Sequence, residues 1–226
     1  MSEVPINIQQ FAVISSTVFL TSDYSLIEGM SESFKMQLAL EDVKERLFTK
    51  NLLKPSKRFE NFTFCEGAQK IFRLPNAGGN SVNSEALSLE LLNSLYGATL
   101  EATEMELRYF PLGSKITDYS VKVQNQLLGV SVTRAMKFGN SNFSKGDAKR
   151  LLEKKLYGVN ASTKAVLRKY RWKKQILHVF AEHKYIANIL EDVYNNEIEE
   201  ELKNNTIVIV TICENADWIF FEGKNM

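Results

Sequence analysis

Two hydroxyl side chains, Ser131 and Thr133, stand two positions apart in the stretch 129–136, GVSVTRAM, whose residues alternate in character. Successive side chains of a strand point to opposite faces. The alternation therefore predicts a strand with both hydroxyls on one face and Arg134 on the other. A serine hydroxyl is a weak neutral ligand and threonine carries no charge. The pair needs a carboxylate or a cation from a neighbouring element to support chemistry.

Asp118 is the acid best placed to join these hydroxyls. It lies in the stretch 115–123, KITDYSVKV, which alternates like a strand and carries Lys122 on the same face as Asp118. The segment 124–126 predicts a tight turn between this strand and the one that carries Ser131. We therefore expect the Asp118 carboxylate and the two hydroxyls to lie on neighbouring strands.

The elements that position these residues follow from periodicity and from breaker residues. Leucines at helical spacing predict a helix from Ser84, a candidate N-cap, to Gly97, where the chain should leave the helix. The later pattern alternates between strands and helices. It predicts strands at 100–110, 115–123, 127–136, 173–181 and 205–213, and helices at 148–158 and 185–203. The strand 205–213 is the most apolar and is expected at the centre of a sheet.

Residues 1–75 are predicted to form an N-terminal extension or subdomain. Its expected elements are a strand at 11–20, a helix at 41–53 and a short strand at 70–74. The Gly- and Asn-rich segment that follows is the clearest breaker in the chain. We therefore predict a second unit over residues 76–226.

The order helix, three strands, helix, strand over residues 76–225 resembles the αβββαβ core of the PD-(D/E)XK nuclease-like superfamily. The resemblance implies an α/β fold in which a restriction-endonuclease-like mixed sheet is flanked by helices, with the N-terminal extension added. Members often carry a Glu on the first helix, an Asp on the second strand and an E-x-K pair on the third. Such carboxylates hold Mg²⁺, which prefers oxygen ligands and activates water for phosphodiester cleavage.

Carried over to this chain, Asp118 takes the place of the strand-two acid, and Glu85 or Glu90 that of the helix acid. Glu90 is preferred because it stands inside the helix, so the resemblance implies a Mg²⁺ site held by Glu90 and Asp118. The third strand departs from the family pattern, since Ser131 takes the place of the Glu and Thr133 that of the Lys.

The departure leaves the chain without the family's lysine and one acid. Lys122 or Lys115 could supply the cation, and Glu104 or Glu106 of the first strand could supply a carboxylate. The candidate catalytic residues are Asp118, Lys122, Ser131 and Thr133.

Charge is concentrated in two neighbouring segments. Residues 145–174 hold eleven Lys and Arg against Asp147 and Glu153, whereas residues 182–201 hold seven Asp and Glu against Lys184. Such basic segments with interspersed aromatic residues favour contact with DNA or RNA. The candidate nucleic-acid contacts are Lys149, Arg150, Lys154, Lys155, Arg168, Lys169, Arg171, Lys173 and Lys174.

Other site classes find little support. The net charge is +1, and the two cysteines form no CxxC pair, which excludes a cysteine zinc site. His178 and His183 lack the spacing of a helical zinc site and are expected in core or surface roles. The apolar stretch 11–20 is expected to be a core strand and not a signal peptide or membrane span. We therefore expect a cytoplasmic or nuclear protein without membrane contact.

Three functions remain open on the sequence. The chain is a metal-dependent nuclease with an altered site, a nuclease-like fold that binds nucleic acid or protein without cutting, or an α/β interaction protein that pairs through its acidic and basic segments.

Overall fold

One mixed eight-stranded sheet organises the chain in a computed structural model that describes residues 16–29, 31–74, 81–137 and 142–220. Its strands lie in the order β1-β2-β3-β8-β7-β6-β5-β4. They are β1 Ser16–Leu20, β2 Tyr24–Gly29, β3 Leu47–Pro55, β4 Thr99–Thr103, β5 Tyr119–Val123, β6 Gln126–Ala135, β7 Lys174–Ala181 and β8 Ile207–Cys213. The helices are α1 Glu32–Glu41, α2 Glu66–Arg73, α3 Val82–Tyr96, α4 Lys145–Ala165, α5 Lys184–Asn196 and α6 Glu200–Lys203.

The order α3, β4, β5, β6, α4, β7 contains the helix–three strands–helix–strand arrangement expected from the sequence. β3, β8, β7 and β6 pair in parallel, and the other pairs are antiparallel. The α/β class and the mixed sheet flanked by helices are thereby confirmed. β8 is buried along its whole length between β3 and β7, so its predicted central position is also confirmed.

Two apolar cores lie on the two faces of this sheet. α3 packs on one face with alternate side chains of the strands, among them Val130 and Ile176. α4 and α5 pack on the opposite face with the intervening side chains, among them Leu177 and Val208. The strand alternation thus places one helix layer on each face of the sheet.

α3 and α4 differ slightly from the sequence prediction. α3 ends at Gly97, which has a left-handed φ of 64°, as expected for a helix C-cap, although its N-cap is Ser81 and not Ser84. α4 begins with a capping box between Ser144 and Asp147 and continues through Gly158, where the prediction ended it. The buried stripe of α4 outweighs the cost of about 1 kcal/mol for an internal glycine.

The N-terminal extension belongs to the same sheet. β3 occupies residues that were predicted to be a helix over 41–53, and α2 replaces the predicted strand at 70–74. β3 pairs in parallel with β8, so tertiary pairing overrides the local preference of this segment. The part 11–15 of the predicted first strand, and the boundary at 75 and 76, lie outside the described residues.

The connection between β4 and β5 is longer than predicted, because both strands are short. Residues 104–118 form this segment, which we call the β4–β5 loop. The Glu106 side chain accepts hydrogen bonds from the backbone N–H and hydroxyl of Thr103, which turns the chain at the end of β4. The predicted helix at 185–203 is likewise divided, into α5 and α6.

No helix among the described residues is long and apolar enough to cross a membrane.

Candidate active site

Asp118 ends the β4–β5 loop immediately before β5. Its backbone N–H donates to Val130 O at 3.0 Å, and its Oδ2 accepts a hydrogen bond from Val132 N at 2.5 Å. β5 stops opposite Val130 while β6 continues, so the Val132 N–H has no strand partner on this side. The Asp118 carboxylate takes that partner's place and is fixed at the margin of the sheet between α3 and α4.

Among charged neighbours, Glu85 in the first turn of α3 has the largest effect on the pKa of Asp118. Burial and the neighbouring Glu85 charge raise the pKa of Asp118 to about 7. Glu85 is only 5% exposed and accepts a hydrogen bond from the Ser81 hydroxyl at 2.5 Å. Burial, followed by the Glu104 charge, also raises the pKa of Glu85. Two carboxylates that both carry negative charge when ionised therefore lie in a poorly hydrated environment.

Lys155 brings a cation to these acids from α4, on the opposite face of the sheet. Its Nζ lies 3.5 Å from Val132 O, next to the N–H that holds Asp118. The positive charge of Lys155 lowers the pKa of both Asp118 and Glu85, although burial outweighs this effect. Arg134 of β6 also lowers the pKa of Glu85, and it donates to Ile219 O at 3.0 Å.

From the sequence, Lys155 is predicted only as a nucleic-acid contact. It stands one residue before the buried Leu156, at the edge of the buried stripe of α4. This spacing is the signal that could have placed it beside the sheet.

Glu90, the acid preferred from the sequence, serves the interior of the fold. Its carboxylate accepts hydrogen bonds from Tyr24 OH at 3.2 Å and from Cys65 N at 2.6 Å. It thus ties α3 to the N-terminal extension, and neither of these hydrogen bonds involves Asp118. The role of Glu90 as a metal ligand stays a prediction. Glu85 and Glu90 are both buried, so burial alone could not have chosen between them.

Ser131 and Thr133 lie on the α4 side of β6. The Ser131 hydroxyl is 3.1 Å from Thr117 Oγ1, which accepts a hydrogen bond from Ser162 of α4 at 3.3 Å. Ser131 is 8% exposed, and Thr133 is half-buried two residues along the strand. Among the described residues no hydrogen bond connects either hydroxyl to Asp118, so Ser131 joins β6 to α4.

Neither Lys122 nor Lys115, the lysines predicted to supply the missing cation, lies next to Asp118. Lys122 is exposed at the other end of β5, where it pairs with Thr99 and Leu127. Its Cα lies about 13 Å along the chain from that of Asp118, at 3.3 Å per residue. Lys115 is exposed within the β4–β5 loop. Of the two strand-one acids, Glu104 lies near enough to raise the pKa of Asp118, whereas Glu106 pairs with Lys70.

The acids alone do not provide a complete set of metal ligands. Within 16–29, 31–74, 81–137 and 142–220, no three His, Cys, Asp or Glu side chains are grouped closely enough to hold a metal ion. The cluster offers the carboxylates of Glu85 and Asp118, and the Glu104 charge raises the pKa of both. We call Glu85, Asp118 and Lys155 the carboxylate–lysine cluster.

The basic segment is divided by the structure. Lys174 is buried, and its Nζ donates to the backbone oxygens of Ala39, Asp42 and Glu45, so its predicted contact with nucleic acid is wrong. Lys149 pairs with Glu197 at 3.8 Å, and Arg150 pairs with Asp147 at 2.5 Å. The remaining predicted contacts outside the cluster have exposed side chains: Lys154, Arg168, Lys169, Arg171 and Lys173.

The acidic and basic segments partly neutralise each other within the chain. Lys145 of α4 pairs with Asp192 of α5 at 2.5 Å, beside the pair of Lys149 with Glu197. Exposed pairs of this kind contribute little stability. They do reduce the charge that α4 presents on its α5 side.

His178 lies in the core of the sheet, one of the two roles expected for it. Nδ1 is 2.7 Å from the Ser88 hydroxyl, which is 2.6 Å from Tyr119 OH, and Nε2 is 2.8 Å from Thr211 Oγ1. Burial lowers the pKa of His178 to about 3, so the ring is neutral at physiological pH. The network connects α3 to three strands and holds α3, with Glu85 at its start, against the sheet.

No known protein-family model matches the chain. It is similar to a Dictyostelium discoideum protein described as "AAC-rich mRNA clone AAC4 protein", with 44% identity over 167 residues. The match covers 71% of this chain and 24% of that protein, so the chain spans about a quarter of the length of the curated relative it matches. That description states no activity that could be proposed for this chain.

Proposed function

We propose that this chain is a metal-dependent nuclease of the PD-(D/E)XK-like type, and that its phosphodiester-cleaving site is the carboxylate–lysine cluster. The observation that carries the proposal is that Asp118 and Lys155 meet at Val132 of β6. The Asp118 carboxylate accepts from the Val132 N–H, Lys155 Nζ lies 3.5 Å from Val132 O, and the Glu85 charge raises the pKa of Asp118. Strand order and the position of Asp118 before the second strand of the core agree with it.

The electrostatics of the cluster favour a cation. Two partly buried carboxylates repel each other, and the pKa of each is raised by burial and by acidic neighbours. A fold that needed these positions only for packing would be more stable with neutral side chains. Perturbed acids beside a half-buried lysine are typical of functional sites.

The residues present fit Mg²⁺. This ion is commonly held by one or two carboxylates while water and substrate phosphate supply its other ligands. Glu85 and Asp118 are such a pair, and Glu104 could contribute through water. Bound there, the ion would polarise a scissile phosphate and generate a nucleophilic water.

Lys155 has the role that the third strand lacks. Lys155 extends from α4, and its ammonium lies next to Val132. Val132 precedes Thr133, the position where the family carries its lysine, so Lys155 could replace that lysine in space. There it would orient the attacking water or stabilise negative charge on the phosphate in the transition state. Asp118, with Val132 N as a fixed donor, keeps its second oxygen, Oδ1, for a ligand.

A binding module without cleavage is the second candidate. It is favoured by Ser131, which takes the place of the family's third-strand acid and is hydrogen-bonded to Thr117 and not to Asp118. Loss of one ligand in a catalytic unit commonly lowers rates by orders of magnitude. Under this alternative the exposed cations after α4 would hold nucleic acid, and the cluster would be a remnant.

The test is cleavage of labelled single- and double-stranded DNA and RNA with Mg²⁺ or Mn²⁺. We expect Asp118→Asn, Glu85→Gln and Lys155→Met each to reduce the cleavage rate at least about 100-fold, because the groups act as a unit. Glu101→Gln on β4 and Lys44→Met after α1 change exposed residues outside the cluster and should retain full activity.

Unchanged cleavage by the Asp118 and Glu85 variants would refute the assigned site. Binding of the same substrates without cleavage, under either metal, would establish the second candidate in its place.

A further inference from the structure

The β4–β5 loop exposes large apolar side chains beside the candidate active site. Leu112 is 96% exposed and Phe110 73%, and Ile116 is exposed nearer to Asp118 in the chain. The carbonyl of Pro111, at the tip, accepts hydrogen bonds from the backbone and side chain of Ser114, so the tip is a defined turn. Neighbouring apolar side chains at such exposure mark surfaces that contact a partner or ligand.

The loop is fastened to the segment that follows α4. Phe110 N donates to Ala165 O and Leu167 N to Arg108 O, both at 2.9 Å, and Tyr109 pairs with Val166 as an isolated bridge. Tyr109 also receives a hydrogen bond from Thr117 N at 3.1 Å. Residues 107–117 of the loop and residues 164–173 therefore form one surface, which we call the loop surface.

The loop surface is cationic. Residues 107–117 and 164–173 contain no Asp or Glu, and they carry the exposed Lys115, Arg168, Lys169 and Arg171. Apolar tips surrounded by cations match a ligand with regularly spaced negative charges and flat apolar groups between them. Nucleic acid has this chemistry, with phosphates for the cations and base faces for the tips.

We propose that the loop surface is a nucleic-acid wedge: Arg168, Lys169 and Arg171 hold phosphates, while Phe110 and Leu112 insert between bases. The proposal rests on the proposed function for its choice of ligand, since the loop that carries Phe110 and Leu112 ends at Asp118. Insertion of apolar side chains separates stacked bases and favours substrates in which a step is already weakly stacked. The substrate class is therefore nucleic acid with an unpaired or bulged step.

Binding is measured on the full chain carrying Asp118→Asn, without divalent metal, so that cleavage does not enter. The probes are DNA and RNA oligonucleotide duplexes, intact or with a two-nucleotide bulge, containing 2-aminopurine at the bulge. We expect tighter binding to the bulged duplex, and 2-aminopurine fluorescence should rise as the base loses its stacking.

Phe110→Ser with Leu112→Ser should reduce affinity for the bulged probe about 5- to 100-fold and abolish the fluorescence rise, with the salt dependence unchanged. Lys169→Gln with Arg171→Gln should weaken binding to all probes and reduce the slope of log affinity against log salt by up to about 2. The matched controls are Leu20→Ser with Phe34→Ser, and Lys44→Gln with Arg58→Gln, exposed residues of the N-terminal extension. Neither control should change binding.

Equal effects of the loop and control variants would overturn the proposal. So would binding to vesicles of phosphatidylserine and phosphatidylcholine without binding to oligonucleotides, since a membrane would then be the ligand. Cleavage by the cluster with no effect of the loop variants would refute the wedge alone. Loop-dependent binding by a chain that never cleaves would refute the proposed nuclease activity alone.

Discussion

At the scale of single residues, the ionised Asp118 carboxylate lowers the free energy of unfolding, and the fold does not need its charge. Its pKa rises from 3.8 to about 7, so ionisation is less favourable in the folded chain than in the unfolded one. The stabilisation from the protonated form is complete below pH 3.8 and is lost as pH rises through about 7. His178 has the opposite effect, since its pKa falls from 6.5 to about 3 and its stabilisation is lost as pH falls below 6.5.

Asp118→Asn should therefore stabilise the chain at alkaline pH. The side-chain amide oxygen can still accept from Val132 N, while the buried charge is gone. We expect the free energy of unfolding to exceed that of the wild type by roughly 1–3 kcal/mol at pH 8, and the difference to disappear toward pH 4. Urea unfolding at several pH values without divalent metal measures it.

An exposed acid provides the control. Asp217→Asn should leave the unfolding free energy nearly unchanged over the same pH range. If Asp118→Asn were destabilising at pH 8, Asp118 would be a structural acid, and the argument that the cluster favours a cation would fail.

The sequence placed Asp118 beside the strand of Ser131, but it did not choose between its possible partners. Alternation over 115–123 put Asp118 within a strand, whereas Glu85 and Glu90 lie in a stretch of α3 buried from Ser84 to Leu92. Amphipathic periodicity does not select an inward face on such a helix. Lys155 reaches the site from the opposite side of the sheet, and only the folded arrangement brings its Nζ next to Val132.

At the scale of elements, Lys174 shows how a charged residue can be structural. It opens β7 and its Nζ binds three backbone oxygens of the α1 C-terminus and the residues after it, with its pKa lowered by burial. The C-terminal end of a helix carries partial negative charge, which a cation stabilises. Lys174 therefore attaches α1 to the sheet.

Lys174→Met should destabilise the chain by about 2 kcal/mol or more, because buried carbonyl groups lose their donor. Its affinity for nucleic acid should stay at the wild-type value while the chain is folded. Thermal unfolding and oligonucleotide binding, each compared with Lys173→Met, separate the two roles. Weaker binding with unchanged stability would return Lys174 to the predicted contact surface.

Elements were predictable where local pattern and tertiary pairing agree. α3, β6, β7 and β8 fall close to their predicted ranges, because caps, alternation and apolar runs all point the same way. β3 was predicted as part of a helix, because the signal that makes it a strand is its pairing with β8, far away in the chain. The limits of β4 and β5 depend on the Glu106 turn, which alternation alone does not reveal.

At the scale of the whole molecule, the N-terminal extension and the second predicted unit share one sheet and one core. Tyr24, Leu26 and Leu53 of the extension pack in the same apolar cluster as Leu87 of α3. We therefore expect the two parts to unfold together.

The two tryptophans allow a test of this unity. Trp218 packs against Phe59 of the extension with ring centroids 4.5 Å apart, whereas Trp172 is buried beside Gly129 of β6. Trp172→Phe and Trp218→Phe each leave one tryptophan as a fluorescence reporter. For each variant, the midpoint of urea unfolding measured by fluorescence should equal the midpoint measured by circular dichroism. A Trp218 transition that precedes the loss of overall secondary structure would show that the extension is a separate subdomain.

The parallel pairing of β3 with β8 sets an order on folding during synthesis. A ribosome releases β3 well before β8, and β3 has β2 on one side and an open row of backbone hydrogen-bonding groups on the other until β8 arrives. At about 5–20 residues per second, that exposure lasts several seconds or longer. Nascent chains halted between α4 and β8 should therefore recruit chaperones through the edge of β3, and release of β8 should end that dependence.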